Sequence, residues 1–142
     1  MNILDTRDLI EERNELKQQI LDSFLETFEH YAEQTTTFED ILFEEEEIQS
    51  WREDWEDELN EIQEINDLED EVGNEDFEFG VTLIDEDDFE EYCEEELESC
   101  GYFPYDLPSW IKNHIDWNGI AEDMKQDYSE VEYLGTTYLY RN

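Results

Sequence analysis

Thirty carboxylates stand between Glu39 and Glu98 against a single base, Arg52, and apolar residues still recur through the same stretch at helical intervals. Ile48, Trp51, Trp55, Leu59, Ile62 and Ile65 fall in register on one face at 3.6 residues per turn. A chain with this charge and no apolar period would stay disordered, having too little apolar surface to offset the entropy of ordering. Here the period is kept, so the acid is displayed on folded secondary structure. Like charges at fixed spacing work against a fold, which points to another molecule that reads them.

The whole chain amplifies the pattern: 46 Asp and Glu against 7 Lys and Arg give a net charge of -39 over 142 residues. Such a surface repels nucleic acid and anionic membranes. Its natural partners are cationic: basic proteins, nucleic-acid-binding grooves or metal ions. Four Trp, eight Tyr and eight Phe, an aromatic share of 14%, set it apart from acidic tails and predict an ordered chain. The length suits one domain, or one compact domain with a helical extension. No leading apolar run follows a basic start, and no stretch approaches the roughly 20 apolar residues of a membrane span, so a soluble, unexported protein is expected. Cys93 and Cys100 lie on what reads as one helix, about 10 Å apart along its axis, too far to bridge. Reduced thiols fit a cytoplasmic compartment.

The first predicted helix runs from about Thr6 to Glu33, with Leu9, Ile10, Leu16, Ile20, Leu21, Phe24, Leu25, Phe28 and Tyr31 as a broad apolar stripe and Asp5 or Thr6 as its cap. A polar connection, Gln34 to Thr37, leads to a second helix from about Glu44 to Leu68, closed by Val72-Gly73-Asn74. The two read as an antiparallel hairpin. Phe77, Phe79, Val81 and Leu83 then alternate as in a half-buried strand, with Gly80 as a bulge or close approach. Asp85 caps a third helix, Glu86 to Ser99, ended by Gly101. An aromatic, proline-bearing loop over Tyr102 to Pro108 and a short turn at Trp110 and Ile111 lead to a helix capped by Asp116. Tyr128 to Tyr133 and Thr136 to Tyr140 read as a β-hairpin about Leu134-Gly135. The expected class is α+β: a long N-terminal antiparallel helical hairpin (1–72), then a small α/β unit (73–142) with a three-stranded antiparallel sheet covered on one face by the last two helices.

No site for catalysis, cofactor or metal stands out. There is no Gly-rich phosphate loop. The nearest approach to a calcium loop, from Asp67 through Glu69 and Glu71 to Glu78, has Val72 where the turn demands Gly, and Gly73 comes one residue late. His30 follows Glu26 at i,i+4, a half-site at most, and reads first as a partly buried helix histidine; His114 belongs to the turn before Asp116. Trp51 and Trp55 read as core, and Tyr133, Tyr138 and Tyr140 as cross-strand packing. Carboxylate pairs carry no catalytic signal when nearly a third of the residues are acidic, so the chain is not expected to be an enzyme.

Charge spacing is more telling. Glu44 to Glu71 holds fifteen carboxylates in 28 residues, one per roughly 2.8 Å at helical rise. One strand of B-DNA carries a phosphate per about 3.4 Å. The candidate partner-binding residues are therefore Glu44, Glu45, Glu46, Glu47, Glu53, Asp54, Asp57, Glu58, Glu61 and Glu64 on the second helix, with Glu86, Asp87, Glu90, Glu91, Glu94, Glu95 and Glu98 on the third. Side by side, the two helices would present a duplex-like field. Solubility alone is served by a net charge of about 2 to 8 in a small domain. The excess is several-fold and concentrated in the middle of the chain.

Phe79-Gly80-Val81-Thr82-Leu83-Ile84 leading into Asp88-Phe89-Glu90-Glu91-Tyr92, then His114-Ile115-Asp116-Trp117, Asp127-Tyr128-Ser129-Glu130-Val131 and Gly135-Thr136-Thr137-Tyr138, resembles small acidic phage proteins related to the C-terminal part of the antirestriction protein ArdA. The Ile-Asp-Trp start of a short helix, followed by an Asp-Tyr strand and an aromatic hairpin, is its most specific part. The N-terminal hairpin lies outside the resemblance. The resemblance implies a DNA mimic, acting as a homodimer in the host cytoplasm, that occupies the DNA-binding groove of type I restriction-modification enzymes. Two further readings are an acidic binding module for another basic nucleic-acid-binding protein, such as a CRISPR effector or a nucleoid protein, and a divalent-metal buffer.

Overall fold

The chain enters its sheet before it builds its first helix. The computed structural model describes residues 1–102 and 107–141. Strand β1 (Ile3–Asp5) runs directly into helix α1 (Thr6–Thr27), with the Asp5 carboxylate accepting the Arg7 N–H at 2.9 Å as the cap. After 3-10 turns at Glu29–Tyr31, Phe38–Asp40 and Glu46–Ile48 come α2 (Gln49–Asp54), α3 (Glu56–Val72) and α4 (Asn74–Phe79). Strand β2 (Thr82–Asp85), a 3-10 turn at Glu86–Asp88, α5 (Phe89–Ser99), α6 (Ser109–Lys112), α7 (Trp117–Lys125), β3 (Ser129–Tyr133) and β4 (Thr136–Tyr140) complete it. The α+β class holds. Residues 103–106, the middle of the expected aromatic loop, lie outside the described residues.

The sheet has four antiparallel strands in the order β1-β2-β4-β3, which corrects the three expected. The additional strand pairs Ile3 with Ile84, Leu4 with Leu83 and Asp5 with Thr82. Three residues are too few to display an alternation, so nothing in the sequence marks β1 as a strand. The β3–β4 hairpin turns through Leu134 and Gly135 at φ 49° and 79°. Two positive φ values in a two-residue loop match the right-handed twist of the flanking strands, and the sequence supplies Gly for only one of them.

The strand expected from Phe77 to Leu83 starts only at Thr82, and Phe77 to Phe79 are instead the end of α4. Phe77 is fully buried while Phe79 is 86% exposed. Residues two apart share a face on a strand but point to nearly opposite sides of a helix, and α4 separates them so. Gly80, at φ 113°, ends the helix, and the Arg7 side chain comes to 2.6 Å of where a Cβ would stand. The buried Thr6 hydroxyl fixes this junction: it donates to the Phe77 carbonyl and accepts from the Val81 N–H, both at 2.8 Å.

The helical hairpin also differs from a simple pair of rods. Arg13 reaches Asn66 and Glu69, and the Trp51 indole reaches Ser23, so α1 and the α2–α3 arm run antiparallel. Helix α1 stops at Thr27 rather than Glu33, because Phe28 leaves helical geometry (φ −121°, ψ 67°) and turns in against Phe24, Tyr31 and Trp51. The second arm begins at Gln49 and breaks at Trp55 (φ −111°, ψ 13°), where the Trp51 and Trp55 rings lie 6.4 Å apart. Ile20, Leu21, Phe24, Ile41, Ile48, Trp51 and Ile62 form a core inside this end of the hairpin. Each such side chain, fully buried, contributes about 1.5–3 kcal/mol.

Packing continues across Val72 and Gly73. Leu83, Val131, Tyr133, Tyr138 and Tyr140 on one face of the sheet share a core with Leu9, Ile65, Leu68, Val72 and Phe77. Ile84 and Leu139 on the other face pack with Phe89, Cys93 and Ala121. The sheet thus lies between α1, α3 and α4 on one side and α5 and α7 on the other. Among the described residues no helix is long and apolar enough to cross a membrane.

Candidate acidic interaction surface

The seven bases decide what the surface shows. Arg7 pairs with Asp5 at 2.6 Å, Arg13 with Glu69 at 2.6 Å and Lys17 with Glu39 at 2.7 Å. Lys112 pairs with Glu98 at 2.5 Å, and Lys125 lies 3.5 Å from Glu86 and 3.9 Å from Glu122. Arg52 sits over the Phe43 ring and reaches that residue's carbonyl, and Arg141 sits over the Tyr128 ring. Every base is engaged within the chain. The Asp5 and Glu39 carboxyls are held below the usual range by hydrogen bonds from Arg7 and Lys17, and Asp40 by the Thr36 and Thr37 backbone N–H groups.

The carboxylates expected to meet a partner form two strips. Glu44, Glu45, Glu46 and Glu47 lie on the approach to α2, Glu53 and Asp54 on α2, and Asp57, Glu58, Glu61 and Glu64 on α3, whose buried face is Ile62, Ile65, Leu68 and Val72. Glu86 and Asp87 lie on the turn before α5; Glu90, Glu91, Glu94, Glu95 and Glu98 are carried by α5, which buries Phe89 and Cys93. All are exposed except Glu58, Glu61, Glu94 and Glu98, which are half-buried. Helix α3 has nine acids in 17 residues and α5 six in 11, each one per about 2.8 Å of axis.

The strips do not lie side by side. Helix α3 packs on the Leu83 face of the sheet and α5 on the Ile84 face, so the sheet stands between them. A single duplex-like face, expected from the sequence, becomes two strand-like strips on opposite sides of the molecule. The reason is the one-residue alternation of β2, which sends adjacent Leu83 and Ile84 into different cores.

Some of the named acids already have partners. The Tyr31 phenol donates to Glu47, and the phenol's pKa is pushed up to about 12, chiefly by that hydrogen bond. Glu98 and Glu86 hold Lys112 and Lys125. Glu61 meets Glu12 of α1: the hydrogen bond between the two carboxyls, then burial, then the charges of Glu12 and Glu58 push the Glu61 pKa up to about 7. Two carboxyls in contact share a proton that is lost only as pH rises through about 7. Burial, helped by the Glu12 and Glu61 charges, raises the Tyr133 phenol too.

Sequence reasoning missed Glu12, which joins the α3 strip only because the hairpin brings α1 alongside. Also unforeseen were the exposed aromatic side chains Phe79, Tyr102 and Trp110; side-chain exposure has no periodic signature in segments this short. Cys93 is buried, its thiol pushed up to about 11 mainly by that burial, and Cys100 is exposed; both are free. His30, expected to be partly buried, is exposed, its ring tilted against Tyr31 and its Nε2 3.7 Å from Glu47, and His114 Nδ1 lies 2.7 Å from the Trp110 carbonyl oxygen. Among the described residues no group of three or more His, Cys, Asp or Glu side chains is arranged to hold a metal ion. The arrangement can neutralise cationic surfaces along two strips. Comparison with protein-family models, curated proteins and solved structures gave no match.

Proposed function

We propose that this protein is a DNA mimic, an inhibitor that lays a carboxylate strip in the DNA-binding groove of a host type I restriction-modification enzyme in the host cytoplasm. The observation that carries this reading is the pairing of two features: carboxylate rows spaced near the phosphates of a DNA strand, and a full set of bases engaged inside the fold. A groove that releases counterions when it meets phosphates gains the same salt-sensitive attraction from these carboxylates. The residues quoted for the ArdA resemblance add the choice of enzyme class. A symmetric homodimer would lengthen the charged surface without new sequence.

The test is competition. A type I methyltransferase core is titrated with labelled duplex DNA and increasing inhibitor, at low salt and at several hundred millimolar. The inhibitor should displace DNA, and less effectively as salt rises, since exposed charges are screened over about 10 Å at 0.1 M. Displacement that ignores salt, or none at all, sinks the reading. Capture of a CRISPR effector or a nucleoid protein in place of the restriction enzyme would move the same surface to the other class of basic partner.

A further inference from the structure

Where α1 ends and the chain approaches α2, the hairpin holds a cavity of about 220 Å³. Phe24, Thr35 and Ile48, each at most 4% exposed, form its floor, while Leu42, 58% exposed, and the exposed side chains of Asp40 and Glu45 stand at its mouth. A water molecule's share of liquid volume is about 30 Å³, so the cavity is far larger than an ordinary packing fault. It is smaller than the roughly 300–1,000 Å³ of sites for small-molecule ligands and cofactors. The size suits one large side chain.

The walls are held before anything enters. Tyr31 stacks on Phe24 with ring centroids 5.7 Å apart, its phenol donates to Glu47, and its carbonyl accepts the Thr35 N–H at 3.0 Å. Asp40 Oδ2 accepts the Thr36 and Thr37 N–H groups and the Thr36 hydroxyl, each at 3.0 Å. Across the mouth, the Glu45 N–H reaches the Leu42 carbonyl at 3.1 Å and the Ile48 N–H reaches the Glu45 carbonyl at 3.3 Å. An occupant therefore has little left to order.

The direction of entry decides the occupant. A side chain offered by another protein goes in tip first, so its tip meets Phe24 and Ile48 while the residues flanking it meet Asp40 and Glu45. Lysine or arginine would carry its charge to the apolar end and away from the carboxylates. An apolar tip fits the floor, and basic neighbours fit the rim and the adjoining exposed Glu44, Glu46 and Glu47. Phe24 and Tyr31 favour a ring over an aliphatic chain, since ring pairs attract beyond the area they bury.

We infer that this cavity receives an aromatic side chain flanked by lysines or arginines on a basic protein partner, an anchor whose contribution salt does not screen. Affinity then has two parts: carboxylate contacts that weaken with salt, and one buried ring that does not. The inference rests on the proposed function only in taking the partner to be basic.

The experiment uses the full chain with three lysine-rich peptides of equal length and charge, carrying Phe, Leu or Ala at the centre, and follows binding by fluorescence anisotropy at low and high salt. The Phe peptide should bind several-fold more tightly than the Leu peptide and about tenfold more tightly than the Ala peptide, by the same factors at both salt concentrations. Leu42→Glu changes a mostly exposed residue and should leave the melting temperature unchanged. It adds a negative charge, so charge alone would tighten every peptide; the anchor requires that the Phe peptide bind more weakly, within about twofold of the Ala peptide. Glu44→Gln with Glu45→Gln should weaken all three and flatten the salt dependence while the order is kept. A wild type that does not prefer the Phe peptide, or a Leu42→Glu variant that holds it as tightly as before, overturns the anchor. So does a wild-type dimer that Leu42→Glu dissolves, which would seat a second copy on the cavity. Failure to compete with duplex DNA for the restriction enzyme counts against the DNA-mimic reading alone, since the peptide comparison is decided separately.

Discussion

The two acidic strips have nearly the same charge per unit length and are built differently. The α5 strip is pinned at both ends by lysines from neighbouring helices, Lys125 at Glu86 and Lys112 at Glu98. The α3 strip has Arg13 at Glu69, near its C-terminal end, and in its middle it faces the acids of α1, where Glu61 meets Glu12. One strip is tied by bases at its two ends; the other carries repulsion that a proton partly quenches. A cationic groove therefore has more to gain on the α3 side, where it replaces repulsion with attraction rather than competing with lysines already in place.

The largest test of this contrast is charge removal. Glu53→Gln, Asp54→Asn, Asp57→Asn and Glu64→Gln together should weaken competition with duplex DNA by roughly 100-fold and lower the salt slope by about one for each carboxylate that had met a base of the groove. The matching set on α5, Glu90→Gln, Glu91→Gln, Glu94→Gln and Glu95→Gln, should cost clearly less. Equal weakening by the two sets would erase the functional distinction between the strips.

Next in size is the loss of a base. Arg13→Met leaves Glu69 mostly buried without its partner and should destabilise the fold by about 2–3 kcal/mol in chemical denaturation. Lys112→Met removes a more exposed, solvent-screened pair and should cost clearly less. A reversed order would mean that the α5 side holds the fold more firmly than its exposure implies.

The smallest effect is the most specific. Glu61 binds its proton more tightly folded than unfolded, so between its ordinary value of 4.5 and about 7 the folded state carries more protons. The stability this gives is complete below 4.5 and is lost as pH rises through 7. Lowering the pH from 8 to 5 should raise the melting temperature by a few degrees, about what 1 kcal/mol provides in a chain of this size. Glu61→Gln should be more stable than the wild type at pH 8 and respond less to acid. Asp5, Glu39 and Asp40 act in the opposite sense: their depressed values support the fold above the ordinary carboxylate range, and that support is lost as pH falls below about 4. A melting temperature that falls steadily from pH 8 to 5 would remove Glu61 from the account.

What could be read from the sequence followed periodicity over long segments. Ile48, Trp51, Ile62 and Ile65 are buried where the helical register puts them, and Asp5, Asp85 and Asp116 each accept a backbone N–H at the start of a helix or turn. The failures came where a tertiary partner decides. Apolar alternation at Phe77 and Phe79 imitates a strand, but Thr6, over seventy residues away, provides the hydroxyl that closes α4. Ile3 and Leu4 become a strand only because β2 offers an edge. The acidic residues were legible individually; their partition into two strips was not, since it depends on which face of the sheet each helix covers.

The engagement of every base inside the fold has a consequence for how the molecule is taken apart. A protease that cuts after lysine and arginine finds each of its sites tied to a carboxylate or lying over a ring. Between Arg52 and Lys112 it finds no site at all. Limited digestion of the folded protein should therefore be slow, and complete digestion should release residues 53–112 as one long, strongly anionic fragment, carrying α3, α5 and most of the charge of both strips.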